Sequence, residues 1–167
     1  MKWTSLNTKT GDNGTSQFGK KRLPKCHRLF HIVGEIDMLN AQIGLCKKHD
    51  MFIPNNDLQE INRNIMGCLH MGISPDESIL QKIDDNLETC TSYLDSGDRV
   101  INGWMNYNNQ WGVVCCQVRT VERNIVDYIT NIGPKTMLAD VIRNGNIVQI
   151  YNRMSKLFFV YHTICTV

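Results

Sequence analysis

The sequence predicts an all-α protein that folds as one helical-bundle domain over its 167 residues. Apolar residues recur at the spacing of one helical face in five separate stretches, whereas no stretch is a convincing strand. No linker or internal repeat divides the chain. With 42% hydrophobic residues, the chain can bury roughly 70% of its unfolded surface and needs no disulfide or metal to fold.

The N-terminal segment differs in composition from the rest of the chain. Residues 4–20 are rich in Thr, Ser, Asn and Gly and contain almost no large apolar side chain, which is typical of a loop. After Pro24 the helical pattern begins. We therefore divide the domain into an N-terminal loop, residues 1–24, and a helical bundle, residues 25–167.

The first two helices are predicted from their buried faces. A helix over about residues 26–48 is indicated by the apolar stripe Leu29, Ile32, Val33, Ile36, Leu39 and Ile43. A second, shorter stripe runs from Leu58 to Leu69. It predicts a second helix that packs through the same kind of face.

The remaining helices carry clearer end signals. The third is predicted to start at Ser74-Pro75-Asp76-Glu77, which offers a capping hydroxyl, a proline at the first helical position and a glutamate that could close a capping box. The fourth runs from about Val114 to Tyr128 and ends at Gly133-Pro134. The fifth carries apolar residues from Ile147 to Tyr161.

Charge and cysteine content disfavour several classes of protein. The formal net charge is only +2, with 18 basic and 16 acidic residues spread along the chain, so we expect no nucleic-acid partner. Seven cysteines without a Cys-x-x-Cys pair argue against a disulfide framework and a zinc ribbon. No signal peptide or membrane-spanning stretch is apparent. We expect a cytoplasmic protein with reduced thiols and no membrane partner.

The polar loop Thr8 to Ser16 contains the groups that bind phosphate. Its two glycines let backbone N–H groups approach an anion, and hydroxyls and one lysine add donors and charge. It does not have the sequence of a Walker A loop. Taken alone, such a segment is more often a mobile chain end than a binding loop.

Three charged residues of the helices are further candidates. Arg119 and Arg123 lie four residues apart, so both could bind one anion from the same helical face. Alternatively, Arg123 pairs with Asp127 on a solvated face. Asp37 lies within the first helix, where a buried or interfacial acid needs a cationic partner.

His27 and His31 lie four residues apart, a spacing that is compatible with a metal site, but the sequence offers no evident third ligand.

Four blocks in this order resemble the ATP:cob(I)alamin adenosyltransferase family of the propanediol-utilisation type. The first is the loop with the pattern Thr-Lys-Thr-Gly-Asp-x-Gly-Thr. Gly34 to Asn40 is similar to Gly-x-x-Asp-Glu-Leu-Asn, and Val118 to Arg123 is similar to Ala-Arg-Thr-x-x-Arg. Tyr151 to Phe159 is similar to Leu-Asn-Arg-Leu-Ser-Asp-x-Leu-Phe. The ordered set covers most of the chain.

The resemblance implies a five-helix bundle assembled as a homotrimer, with ATP and a corrinoid bound between subunits. Arg123 is implied as the catalytic residue and Asn152 as a nucleotide contact, while Asp37 and Arg119 would pair across the interface. Trp104 is our candidate for the aromatic side chain that displaces the lower cobalt ligand. The residues implied to surround the ATP phosphates and Mg²⁺ are Thr8, Lys9, Thr10, Gly11, Asp12, Gly14, Thr15, Ser16 and Lys25.

The reaction that the resemblance implies is attack by cobalt(I) on the 5′ carbon of ATP with release of triphosphate. Since cobalt is the nucleophile, the protein needs no catalytic base. It would position both substrates, and Arg123, backbone N–H groups and Mg²⁺ would stabilise the leaving triphosphate.

The chain departs from the family pattern around this site. Where the family continues Arg-Arg-Ala-Glu-Arg, this chain has Arg123-Asn124-Ile125-Val126-Asp127, and the family's Leu-Ser-Asp becomes Met154-Ser155-Lys156. Asp127 and Lys156 could form a charge-reversed ion pair between helices. Two hypotheses follow: a divergent adenosyltransferase, or a catalytically inactive, repurposed trimeric scaffold or nucleotide-binding protein that keeps the fold.

Overall fold

The computed structural model describes residues 9–97 and 106–166. Two short strands, β1 (Thr15–Phe18) and β2 (Lys21–Pro24), come first. Six α-helices follow: α1 (Arg28–Gly44), α2 (Asn55–Met71), α3 (Ser78–Ser96), α4 (Gln110–Asp127), α5 (Met137–Asn144) and α6 (Ile147–Thr166). A π-helical turn, Tyr128–Ile132, extends α4. The all-α prediction is thus confirmed in outline, with a hairpin and a short sixth helix that it lacked.

Helix α6 lies at the centre of the bundle. It packs against α4 and α3, while α4 also packs against α1, and α1 against α2. At the centre, Phe52 stacks on Tyr161 with ring centroids 3.7 Å apart, and the fully buried Trp111 meets both rings edge-on. The predicted apolar stripes form this core.

A polar network also joins three helices inside the bundle. The Tyr151 hydroxyl donates to Asn62 Oδ1 over 3.2 Å, and Asn62 Nδ2 donates to Asn40 Oδ1 over 3.0 Å. Asn40 and Gln59 exchange two further side-chain to backbone bonds. Because Asn62 and Tyr151 are buried, these bonds offset the cost of removing polar groups from water. They fix α1, α2 and α6 relative to one another.

The helix ends differ from the prediction where local capping decides them. Helix α1 begins at Arg28 because His27 Nδ1 accepts from the Leu29 amide over 3.3 Å. Helix α3 begins at Ser78, three residues after Pro75, the predicted first helical position, and Asp76 Oδ1 accepts from the Ser78 amide. The capping box was therefore wrong, since Asp76 supplies the acceptor.

All seven cysteines are free, and Cys46, Cys68, Cys90 and Cys115 are buried. Burial raises the pKa of Cys46 to about 12 and that of Cys90 to about 11, so these thiols stay protonated at neutral pH. Within the described parts of the chain, no helix is both long and apolar enough to cross a bilayer.

Candidate functional site

A groove of about 510 Å³ runs between α4, the π-helical turn and α6. π-helical turns are rare and often lie at functional sites, and this one contributes Thr130 and Asn131 to the groove. The groove is lined by Arg119, Glu122, Arg123, Val126, Asp127, Thr130, Asn131, Asn152 and Ser155. Three residues that the sequence analysis singled out, Arg119, Arg123 and Asn152, therefore lie in one concave surface.

The two arginines are held differently. Arg119 is half-buried, and its Nη1 donates to the Tyr107 hydroxyl over 3.2 Å. Arg123 is exposed, and its Nη2 donates to Thr120 Oγ1 over 3.0 Å. Neither pairs with a carboxylate among the described residues, and Arg123 does not pair with Asp127. Both guanidinium groups remain available to an anion in the groove.

Asn152 reaches the groove from α6 and contacts α4. Its Nδ2 donates to Glu122 Oε1 over 3.1 Å. Sequence reasoning missed Glu122, whose place on the arginine-bearing face of α4 follows from its spacing of three residues from Arg119. The groove thus combines two cations with a paired acid and amide.

Asp127 closes one end of the groove through partners that the sequence did not predict. Its Oδ2 lies 2.8 Å from Arg28 Nη2 and its Oδ1 accepts from Asn131 Nδ2 over 2.9 Å. The Asn131 and Arg28 contacts hold the Asp127 pKa below its usual range. The predicted pair with Lys156 was wrong, because Arg28 at the start of α1 lies closer and takes its place. Lys156 is exposed and does not line the groove.

The N-terminal loop is a turn followed by a hairpin rather than irregular chain. The Asp12 amide donates to the Lys9 carbonyl and the Gly14 amide to the Gly11 carbonyl, each over 3.1 Å. Lys9 and Gly14 have positive φ angles, 53° and 75°. The Lys25 amide donates to the Gly14 carbonyl over 2.8 Å, so the residue that follows β2 closes the loop.

Two cationic side chains lie over this loop. The Lys25 ammonium lies 3.1 Å from where a Cβ on Gly11 would stand, so Gly11 leaves room for it. Arg22, which the sequence analysis did not identify, donates to the Thr10 carbonyl and to Thr15 Oγ1, the latter over 3.0 Å. The loop therefore has a positive surface that suits an anion.

The hairpin packs onto the bundle at the C-terminal end of α2. Phe18 stacks on His70 with centroids 4.3 Å apart, and it meets Phe30 edge-on at 5.9 Å. Gly19 has φ 57°, and a Cβ there would stand 2.5 Å from the His70 carbonyl oxygen. The sequence Phe18-Gly19-Lys20-Lys21 holds the signal that the loop prediction missed, a glycine in a two-residue hairpin turn.

The sequence pattern of the family described as Cobalamin adenosyltransferase matches residues 6–165. The chain belongs to this family. No curated protein matches the sequence at a significant level.

Two solved structures share the fold of this adenosyltransferase family member. Both are variants of the PduO-type ATP:corrinoid adenosyltransferase from Lactobacillus reuteri. An arginine-to-lysine variant complexed with ATP has a TM-score of 0.67 and 18% identity, covering 93% of this chain and 90% of that chain. A phenylalanine-to-alanine variant complexed with cobalamin and ATP has a TM-score of 0.65 and 19% identity, covering 94% and 91%.

Other predicted residues of this family member lie apart from the groove or outside the described residues. No described residue of the N-terminal loop lines the groove. Asp37 is exposed on α1, and the described part of this single chain contains no ion pair between it and Arg119. Asn124 does not line the groove either. Thr8 and Trp104 lie outside the described residues.

Proposed function

We propose that this chain is a divergent ATP:corrinoid adenosyltransferase that transfers the 5′-deoxyadenosyl group of ATP to a cobalt(I) corrinoid. The observation that carries the proposal is the groove in which Arg119, Arg123 and Asn152 meet. Family membership and the fold shared with proteins complexed with ATP and cobalamin support the choice of substrates.

The proposed reaction forms one bond and breaks one bond. The cobalt(I) electron pair forms a bond to the 5′ carbon, and the bond from that carbon to the phosphate oxygen breaks. The triphosphate leaves with the bonding electrons, and cobalt is oxidised formally from +1 to +3. The catalytic role that we assign to Arg123 is to stabilise the negative charge of the leaving triphosphate.

The N-terminal loop is proposed to bind the phosphates of the same nucleotide. Lys9, Lys25 and Arg22 give it positive charge, and Gly11 and Gly14 keep its backbone accessible. The proposed loop contacts are Thr8, Lys9, Thr10, Gly11, Asp12, Gly14, Thr15, Ser16 and Lys25. The Thr15 hydroxyl is already engaged, because it donates to Asn13 Oδ1 and accepts from Arg22.

We propose a homotrimer in which the loop of one subunit completes the groove of its neighbour. Loop and groove share no lining residue within the described part of one chain, so a ligand that binds both fits between subunits. Asp37, exposed on α1, would then pair with Arg119 of the neighbour. At an interface such a pair is partly removed from water, so losing one partner costs more than at a free surface.

Mg²⁺ is proposed to bind together with the ATP phosphates. The described residues hold no group of three His, Cys, Asp or Glu side chains that could bind a metal by themselves. This fits Mg²⁺, which usually keeps several waters and binds through one or two carboxylates and the substrate phosphates. Asp12, exposed in the loop, is the candidate carboxylate there. Trp104 remains our proposed contact to the corrinoid.

The proposal is tested by an anaerobic assay in which chemically reduced cob(I)alamin, MgATP and protein are mixed. The visible spectrum is followed for conversion to adenosylcobalamin. Conversion is expected, while an absence of conversion, with an active family member run in parallel, would contradict the proposal.

A second candidate is a catalytically inactive, repurposed trimeric scaffold or nucleotide-binding protein. It is favoured by the groove end at Val126 and Asp127, where an apolar side chain and an already paired acid stand in place of the family's Glu and Arg. This candidate predicts a trimer that forms no corrinoid product.

A further inference from the structure

Glu122 and Asn152 form a polar pair inside the groove. The Asn152 amide nitrogen donates to Glu122 Oε1 over 3.1 Å, and both side chains are half-buried. A carboxylate can only accept hydrogen bonds, so the amide must turn its nitrogen towards Glu122. The Asn152 Oδ1 atom is left as the end that a ligand can meet. The pair therefore offers acceptor atoms, Asn152 Oδ1 and the Glu122 oxygens, beside the one remaining N–H of Asn152 Nδ2.

The position of this pair next to the arginines gives the groove two chemically distinct parts. Arg119 precedes Glu122 by three residues and Arg123 follows it directly, and all three line the groove. The guanidinium groups suit anions, whereas Glu122 and Asn152 suit hydroxyl or amino donors. Val126, one turn after Glu122, adds only an apolar surface. Asp127, the other acid of α4 in the groove, is already paired with Arg28 and Asn131. Glu122 is thus the acid of α4 that a donor would meet.

We propose that Glu122 determines which nucleotide the groove accepts, by fixing Asn152 so that the pair selects a nucleoside hydrogen-bond donor. The donor is a ribose hydroxyl or the 6-amino group of adenine. This inference rests on the proposed function, because it assigns a specificity residue to the same nucleotide site. Arg123 interacts with charge that all nucleoside triphosphates share, whereas Glu122 interacts with groups that only some of them carry.

The test is calorimetric binding of four magnesium nucleotides, ATP, 2′-deoxyATP, 3′-deoxyATP and ITP, to the unaltered chain and to Glu122→Gln. The unaltered chain is expected to bind ATP about tenfold more tightly than the analogue that lacks the recognised donor, as a hydrogen bond to a charged group implies. The analogue that loses affinity distinguishes a ribose hydroxyl from the 6-amino group. In Glu122→Gln the preference is expected to fall below about twofold, because a side-chain amide can turn a donor to the ligand.

Glu88→Gln is the matched control, since Glu88 is exposed on α3, does not line the groove, and its loss removes the same charge. It is expected to keep the preference, and Glu122→Asp is expected to restore part of it. Equal affinity of the unaltered chain for all four nucleotides would overturn the inference and leave the nucleotide site intact. An unchanged preference in Glu122→Gln would also overturn the inference and leave the nucleotide site intact. Failure to bind any of the four would overturn the proposed function as well.

Discussion

Arg123 is the residue on which the proposed chemistry depends most. It is exposed in the groove, where Thr120 bonds to one of its nitrogens. We predict that Arg123→Ala weakens MgATP binding by about ten- to a hundredfold, because a hydrogen bond to a charged group contributes about 1.5–3 kcal/mol. Isothermal calorimetry measures the change. The melting temperature should hardly move, since the side chain is not part of the core.

Arg63→Ala supplies the control for this substitution. Arg63 is exposed on α2 and lies outside the groove, so its removal tests the loss of a positive charge alone. Equal affinities for MgATP in the Arg123 variant and the unaltered chain would refute the proposed role.

His162 is expected to make the stability of the fold depend on pH. It is buried on α6 beside the Tyr107 ring, and burial lowers its pKa against a smaller opposing contribution from the Asn106 backbone. The unfolded chain therefore binds this proton more readily than the folded chain. The stabilising contribution of neutral His162 is complete above the unfolded pKa, about 6.5, and decreases as the pH falls below it.

We predict that the melting temperature falls between pH 7.5 and 5, and that His162→Gln reduces this slope. Thermal unfolding followed by circular dichroism measures it. His31→Gln, which changes an exposed histidine of α1, should keep the slope of the unaltered chain. Identical slopes in both variants would show that another group is responsible.

At the scale of elements, the hairpin depends on a close backbone approach at Gly19. Both Gly14 and Gly19 have positive φ angles, but only Gly19 faces a neighbouring carbonyl, whereas nothing lies within 4 Å of a Cβ on Gly14. Gly14→Ala should cost about 1 kcal/mol in free energy of unfolding, from backbone strain alone. Gly19→Ala should cost about 1 kcal/mol more, because the hairpin must shift away from His70. Urea unfolding compares the two variants, and equal losses of free energy of unfolding would contradict the close packing of Gly19 against His70.

The contact between α1 and α4 at the groove end is a second element-scale prediction. Arg28 and Asp127 are partly exposed, so a double-mutant cycle with alanine should give a coupling energy of about 0.2–1 kcal/mol. The same cycle for Asp127 and Lys156 should give none. Coupling confined to the Lys156 pair would instead support the charge-reversed pair that the sequence suggested.

The elements show how far local sequence patterns predict this fold. The stripes of α1, α2, α4 and α6 were found because each helix buries a continuous apolar face. The hairpin was missed because its strands are four residues long and mostly polar, so alternation cannot be recognised. Phe18, the one buried residue of β1, gains its partners His70 and Phe30 only in the folded chain.

At the scale of the whole molecule, the structure of a single chain does not test the proposed assembly. We predict that the unaltered protein sediments as a trimer and that Asp37→Arg or Arg119→Asp shifts it towards monomers. In each single variant two like charges meet at the proposed interface, and the double variant restores the attraction. Sedimentation velocity compares the unaltered protein, the two single variants and the double variant.

Asp95→Arg, which changes an exposed acid of α3 by the same charge, should leave the trimer intact. A double variant no better assembled than either single variant would show that these two residues do not meet between subunits.

The sequence by itself determined the family, the helical class and the candidate residues of both halves of the proposed site. It did so because apolar periodicity and short ordered motifs are local properties, which can be recognised from the spacing of residues along the chain. Arg119 and Arg123 are one example, since a spacing of four on a helix places them on one face however the helices pack together.

Only the tertiary structure decided which groups meet across elements. Asn152 contacts Glu122, Asp127 pairs with Arg28 rather than Lys156, and Arg22 lies over the loop. The first two pairs are separated by 30 and 99 positions, and no local pattern encodes contacts at such separations. The Arg22 contacts, 7 and 12 positions away, form because the hairpin brings β2 back beside β1. Packing of α1, α4 and α6 fixes which side chains are within reach, and hydrogen-bond geometry then selects the pairs.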